Sequence, residues 1–333
     1  MMIDIGFIGA GGMGRHQAAS FSQVRGCRVA AVADPVRSSA EALAADHEGA
    51  AVHDDHRELL TGGIDAVVVA VPTGLHAAVT IDCLKAGVPV LVEKPMARTV
   101  AQCRAMNRVS ESTGTLLMVA HCRRYDSHWG TWGRAVQSGR LGFPVLWRDC
   151  SAHMGPGRWF MDEELGGGPL LDGAVHNYDF ANMIFGDPES VVASTLKVNP
   201  AVTATDTGSA VVRYPGGNQL LISWSWGTRG KGMTDVIGPK GGLEFGPGPQ
   251  GPPEGDEGKH SWFCITRTNG KQVQLRAPAD FNQMYKRQAR HFLDCIRGRA
   301  ECRSPGTEAI KAVAVAEAVL KAGPGGGRRT VRW

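Results

Sequence analysis

The sequence predicts an α/β protein: a doubly wound parallel sheet, followed by an α+β domain with a large, mostly antiparallel open sheet. Three observations carry this. Short apolar runs alternate with helical patterns through the first third of the chain, which implies crossover connections between parallel strands. The run AVVVAV at 66–71 is apolar throughout, as suits a strand buried on both faces. After about residue 122 the texture changes to alternating runs separated by turn residues.

In the first part, strands are expected at 3–9, 27–33, 66–71, 88–92 and 115–120. Helices are expected at 13–24, 37–46, 75–86 and 98–113, the last stopped by Gly114. Beyond it, helices at 129–137 and 173–185 enclose a strand at 143–152, and Gly186 with Pro188 ends the second helix. Strands follow at 191–198, 208–214, 219–226, 233–237 and 261–268, with Pro215-Gly216-Gly217-Asn218 as a hairpin turn. Residues 246–258 (GPGPQGPPEGDEG) read as a loop, either a flexible insertion or an active-site flap. Helices at 281–297 and 307–322 end the chain. The expected division is a first domain at 1–122 and a second at 123–333, with the last helix available to pack back on the first.

Composition excludes several classes. The 333 residues are 43% hydrophobic and 20% charged, enough to bury two cores. Thirty-six basic against 32 acidic residues leave a net charge of +4, too balanced for a nucleic-acid or membrane-surface protein. The 44 glycines follow no triplet period, so collagen is excluded. No apolar run approaches the roughly 18 residues that span a bilayer. The start MMIDIGFIGAGGMG lacks a basic region and a cleavage site, so no secretory leader is expected. Eight cysteines without any C-x-x-C point to reduced thiols and a cytoplasmic setting.

Gly9-Ala10-Gly11-Gly12-Met13-Gly14 fits G-x-G-x-x-G between a strand and a helix, the context a dinucleotide fingerprint requires. Gly9 permits the tight turn, Gly11 lets the backbone approach a pyrophosphate, and Gly14 allows close helix–strand packing. The helix start, through Gly12 and Met13, offers amides and a positive dipole end to phosphates. Asp34 ends the second strand, where a carboxylate receives the adenosine ribose hydroxyls and favours NAD. Arg37 follows closely enough to meet a 2′-phosphate, so NADP stays open.

Three further segments bear chemistry. Thr73 and His76 lie beyond the carboxyl end of a central strand, where ligands of open α/β sheets sit. Glu93-Lys94-Pro95 ends the next strand. There Lys94 is suited to polarising a substrate hydroxyl, and Glu93 to holding the lysine or meeting the nicotinamide ribose. Asp172 and His176 are four apart, on one face of an expected helix, so the carboxylate can orient an imidazole that takes the proton of an alcohol.

GFIGAGGMG (6–14), VADP (32–35), VPTGLH (71–76), EKP (93–95) and GGGPLLDGAVHNYD (166–179), in this order, resemble the Gfo/Idh/MocA oxidoreductase family over essentially the whole chain. The resemblance implies a Rossmann domain for NAD or NADP and a C-terminal domain whose open sheet packs in dimers or tetramers. It implies a carbohydrate or cyclitol substrate, with Lys94, Asp172 and His176 as the catalytic set and His176 as acid/base. One departure is visible. The family's D-x-G-x-H reads Asp172-Gly173-Ala174-Val175-His176 here, which leaves the Asp–His spacing intact.

Other substrate contacts are expected from Arg123 and Tyr125, together with Arg124, after the last parallel strand, and from Trp159 as a stacking surface. Asn177 and Asp179 divide evenly between packing and substrate contact. Trp224 and Trp226 read as core or subunit interface rather than a sugar platform. No metal is expected: Asp55-His56-Arg57-Glu58 reads as a helix cap rather than as part of a site. Two rival functions share the scaffold, an NAD-dependent glycoside hydrolase with a redox-elimination cycle and a non-catalytic dinucleotide-binding regulator. Imine or enal reduction is a third.

Overall fold

The computed structural model describes residues 2–256 and 258–333; Glu257, within the expected loop at 246–258, lies outside the described residues, as does Met1. The chain divides into two compact units. The first runs to Cys122 and includes Asn282–Ile310; the second is Arg123–Phe281 with Lys311–Trp333.

The first unit is built on strands β1 (Ile3–Ile8), β2 (Cys27–Ala33), β3 (Ala51–His53), β4 (Ala66–Val69), β5 (Val90–Val92) and β6 (Leu117–Val119). They form one parallel sheet in the order β3-β2-β1-β4-β5-β6. The chain thus moves outward from β1 first one way and then the other, leaving a switch point between β1 and β4. Every residue of β4, β5 and β6 is buried, as the continuous apolar runs require. The short edge strand β3 was not expected, because Ala51 is exposed, Val52 and His53 are half-buried, and the three present no apolar run.

Helices α1 (Gly12–Phe21), α2 (Arg37–Ala44), α3 (His56–Thr61), α4 (His76–Lys85) and α5 (Val100–Thr113) make the crossovers. Their ends follow local chemistry. Asp55 caps α3 by accepting from the Arg57 amide. Thr99 and Gln102 form a reciprocal capping box on α5, and Gly114 closes it at φ 63°.

Residues 282–310, which lie within the expected second domain at 123–333, group with the first compact unit. Helix α8 (Gln283–Ile296) sets Phe292 edge-on to Phe21 of α1, and Tyr285 edge-on to His16. Ser304 Oγ donates to the Val119 carbonyl, and Pro305 bridges Met118. Sequence periodicity marks a helix here but not the surface that receives its apolar face. Helix α9 (Gly306–Ala322) starts among residues of the first unit and continues among those of the second.

The second unit holds helices α6 (Ser127–Gln137) and α7 (Val175–Phe185). Its strands are β7 (Leu146–Ala152), β8 (Ser190–Leu196), β9 (Thr207–Arg213), β10 (Gln219–Ser225), β11 (Met233–Gly238), β12 (Gly241–Phe245), β13 (His260–Arg267), β14 (Gln272–Pro278) and β15 (Arg328–Thr330). They form one sheet, β14-β13-β12-β11-β7-β10-β9-β8-β15. It is mixed: β7 and β10 are parallel and the other pairs antiparallel. Strands β12, β14 and β15 were not expected, being glycine-rich, polar and arginine-rich respectively.

One face of this sheet carries an aromatic core in which Trp147 of β7 meets Trp129 and Trp132 of α6 and Phe180 of α7. Gly133 lets α6 and α7 approach, since a β-carbon there would stand 3.0 Å from Phe180 Cζ. The other face carries the Arg148–Asp235 ion pair, the Ser209–Ser223 hydrogen bond and exposed Met233 and Ile237. Among the described residues, no helix is long and apolar enough to cross a membrane.

Candidate active site

In the first unit the glycines divide by role. Gly9 has φ 99°, and a β-carbon there would lie 2.5 Å from the Ala70 carbonyl oxygen. One on Gly14 would strike the Gly9 carbonyl oxygen. These two positions close the turn on itself. A β-carbon on Gly11 or Gly12 would meet no atom within 4 Å, so this side of the turn lies open at the start of α1. That opening, with its first-turn amides, fits a pyrophosphate. Met13 follows in the first turn of α1. Asp34 is bound into the same structure: its Oδ2 accepts from the Ala10 amide at 2.8 Å and its Oδ1 from the Val36 amide at 2.8 Å. Arg37 is engaged by carboxylates, with Nε 3.0 Å from Glu41 Oε1 and Nη1 3.3 Å from Asp54.

Beyond β4, Thr73 opens a 3₁₀ turn, and its buried hydroxyl has no hydrogen-bond partner among the described residues. A buried hydroxyl in that state fits a ligand group. His76, the other expected cofactor contact here, is held by backbone carbonyls. It is 1% exposed, with Nδ1 2.8 Å from the Pro95 carbonyl oxygen and Nε2 2.9 Å from that of Val71. The imidazole therefore braces the turn after β4 against the turn after β5. Glu93 is likewise turned inward: Oε1 accepts from Gln17 Nε2 at 2.6 Å and Oε2 from the Lys94 amide at 3.2 Å. Half-buried Lys94 follows at the carboxyl end of β5. Gln17 was not singled out in the sequence; its only signal is an amide among the inward-facing positions of α1.

In the second unit, Asp172 does not share an α-helix with His176. A π-helical turn, Pro169–Gly173, precedes α7 and carries Asp172; the Ala174 amide donates to the Pro169 carbonyl, five residues back. His176 stands in the first turn of α7. Asp172 is 4% exposed and His176 is half-buried, so the carboxylate is shielded ahead of a more accessible imidazole. Such local π turns recur at functional sites because they re-aim a side chain without ending the helix. Lys94 thus belongs to the first unit, and Asp172 and His176 to the second.

Comparison with known proteins matches residues 3–121 to "Oxidoreductase family, NAD-binding Rossmann fold" and 131–244 to "GFO/IDH/MocA C-terminal domain". An inositol 2-dehydrogenase of Mycolicibacterium gilvum is 30% identical over 254 residues, 73% of this chain and 70% of that one. The chain belongs to the Gfo/Idh/MocA oxidoreductase family. An inositol 2-dehydrogenase of Rhizobium meliloti is 28% identical over 344 residues, covering 96% of this chain and 97% of that one. The fold matches the WlbA dehydrogenase from Bordetella pertussis, solved with NADH and UDP-GlcNAcA, at a TM-score of 0.82, 22% identity and full coverage of both chains. As a Gfo/Idh/MocA member, the protein is an NAD(P)-dependent oxidoreductase whose first unit is the dinucleotide-binding Rossmann domain.

Several candidate substrate contacts of this Gfo/Idh/MocA chain are held by its own residues. Arg123 Nη1 donates to Asn177 Oδ1 at 3.0 Å, and its guanidinium lies 4.1 Å from the centre of the Trp129 ring. Arg124 and Asp179 form a bidentate ion pair, 2.9 and 2.6 Å, with side chains 8% and 2% exposed. These contacts fasten the 122–125 turn to α7. Tyr125 is buried, which places it in the core rather than at an open surface. Trp159 stacks on Phe160 at 3.7 Å.

Trp226 is buried, in keeping with the expected core role, and the rings of Trp224 and Trp226 both lie against Gly173 in the turn that carries Asp172. Gln274 Nε2 donates to the carbonyls of Pro247 and Gly251, which ties down the described start of the 246–258 loop. Among the described residues no group of three or more His, Cys, Asp or Glu is placed to hold a metal ion.

Proposed function

We propose that this enzyme transfers hydride between nicotinamide and a secondary alcohol or ketone of a sugar, cyclitol or sugar derivative. The observation that carries the reading is the shielded Asp172 in a π turn directly ahead of the half-buried His176. Bound NAD(P) supplies the hydride acceptor or donor. His176 exchanges the hydroxyl proton as general base or acid. Asp172 favours the imidazolium that forms and keeps the ring oriented. Lys94 donates a hydrogen bond to the reacting oxygen and lowers the cost of its alkoxide character. The substrate class is supported by the inositol 2-dehydrogenases among the relatives.

Gly9, Gly11, Gly12, Met13, Gly14, Asp34 and Thr73 would hold the dinucleotide. Carboxylate pairing of Arg37 supports NAD over NADP. The uncovered face of the nine-stranded sheet supports a homo-oligomer, and eight free cysteines support a cytoplasmic setting. The test is absorbance at 340 nm with NAD or NADP and a panel of inositols, sugars and glycosides, beside His176→Ala. A cofactor-dependent rise that the variant loses is expected. Glycoside cleavage without net NADH would replace this reading with the redox hydrolase.

A further inference from the structure

The π turn Pro169–Gly173 is gripped at both ends by neighbouring strands. Gly208 of β9 provides a notch for Leu170: a β-carbon at 208 would stand 2.7 Å from Leu170 Cδ1. Directly opposite Gly208 on β10 is Trp224. Its six-membered ring covers Gly173. A β-carbon at 173 would lie 2.7 Å from Trp224 Cε3, nearer still to Cζ3, and 3.0 Å from Trp226 Cζ2. Ordinary carbon contacts are about 3.5–4.0 Å. The ring therefore occupies the space that any other residue at 173 would need.

The ring is itself fixed. Trp224 Nε1 donates to Asp149 Oδ1 at 2.8 Å, and Thr234 Oγ1 donates to Asp149 Oδ2 at 2.6 Å. Asp149 is buried, on β7, and Thr234 pairs with it across β11. A buried carboxylate with a donor on each oxygen holds one orientation, because leaving either oxygen unpaired is costly. The indole is thus fixed in place by three strands. Trp226 supports the same contact from beyond the end of β10, its Nε1 3.3 Å from His153 Nε2 and its Cβ close against Gly155.

We propose that Trp224, anchored by Asp149, is a positioning residue whose ring fixes the Gly173 backbone and so sets the approach of Asp172 to His176. This rests on the reading of Asp172 and His176 given above. It makes Gly173 and Trp224 a matched pair: a larger residue at 173 requires a smaller one at 224. It also assigns the polar Asp149–Thr234 pair in the sheet interior a task in the reaction, by way of the indole.

The test combines Gly173→Ala, Trp224→Leu, the double variant, Asp149→Asn and Asp149→Leu. Two readouts are followed: the NMR titration of the His176 ring, assigned by its loss in His176→Ala, and kcat and KM with NAD and myo-inositol or scyllo-inositol. Gly173→Ala should move the His176 midpoint and lower kcat by about 10²-fold with KM for NAD unchanged, the scale of a misplaced catalytic group. Adding Trp224→Leu should return much of both. Asp149→Asn, which still accepts from the indole, should resemble the parent, whereas Asp149→Leu should resemble Trp224→Leu. If Gly173→Ala does not fold, the Asn and Leu variants at 149 decide. The proposal is overturned if Trp224→Leu fails to rescue Gly173→Ala, or if His176 titrates alike in the parent, Trp224→Leu and Asp149→Leu. A midpoint that follows Trp224 in a protein that reduces no NAD would uphold the positioning and refute the reaction assigned above.

Discussion

The Gln17 side-chain amide donates to Glu93 Oε1 at 2.6 Å in the interior of the first unit. This bond joins the helix that opens at the glycine turn to the strand end that carries Lys94. Gln17→Leu removes the donor and leaves a buried carboxylate oxygen without it. A loss of about 1–3 kcal/mol in urea unfolding is expected. Stability equal to that of the parent would show that the pair carries no weight.

On the proposed reading, cofactor choice turns on Asp34 and Arg37. A 2′-phosphate would face the Asp34 carboxylate, while Arg37 is occupied by Glu41 and Asp54. The parent should prefer NAD in kcat/KM by about tenfold or more, since like-charge juxtaposition costs several kcal/mol. Asp34→Ser should narrow the ratio, and Glu41→Gln with Asp54→Asn, which removes both carboxylates from Arg37, should narrow it further. A ratio indifferent to both changes would place cofactor selection elsewhere.

Removing the proposed acid/base should cost rate and spare cofactor binding. His176→Ala is expected to lower kcat by about 10²–10⁴-fold. NADH fluorescence titration should give the parent's affinity, because residue 176 lies outside the dinucleotide-binding unit. Full activity in His176→Ala would remove the residue from the mechanism.

The Arg124–Asp179 pair tests how the 122–125 turn is held. Arg124→Met takes the guanidinium away from the buried Asp179 carboxylate, at a cost of about 3–5 kcal/mol. Arg124→Met with Asp179→Leu should recover much of that loss in thermal unfolding, since a buried pair replaced by apolar groups is often neutral. Additive losses would contradict this.

His128 packs among Phe245, Phe263 and Phe281, with ring centres 4.5–5.2 Å away. Burial holds its pKa below the usual 6.5. The folded chain then keeps His128 neutral while the unfolded chain gains a proton as pH falls below 6.5. Its stabilising share is complete above 6.5 and is lost as pH falls toward the folded value. Melting temperature should decline across that window, and His128→Phe should flatten the decline. An unchanged slope would mean that other groups dominate.

The sequence determined much of this protein by itself. Glycines at 9, 11 and 14, the apolar strands β1, β4 and β5, and the helix-ending residues Asp55 and Gly114 act through local geometry and burial pattern. Such effects are written in a few consecutive residues. The segments carrying Lys94, Asp172 and His176 were legible for the same reason, as short runs of distinctive chemistry at strand and helix ends. Only the tertiary structure decided the rest. The partners that hold His76 and Glu93, namely Pro95, Val71 and Gln17, are brought to them by packing. The return of α8 to the first unit depends on which apolar surface is left uncovered there, which no periodicity records. Trp224 and Gly173 lie about fifty residues apart, and their contact arises from the register of β10 beside the turn. Side chains that meet through sheet register and helix packing leave no mark in sequence spacing, because the chain between them sets no distance.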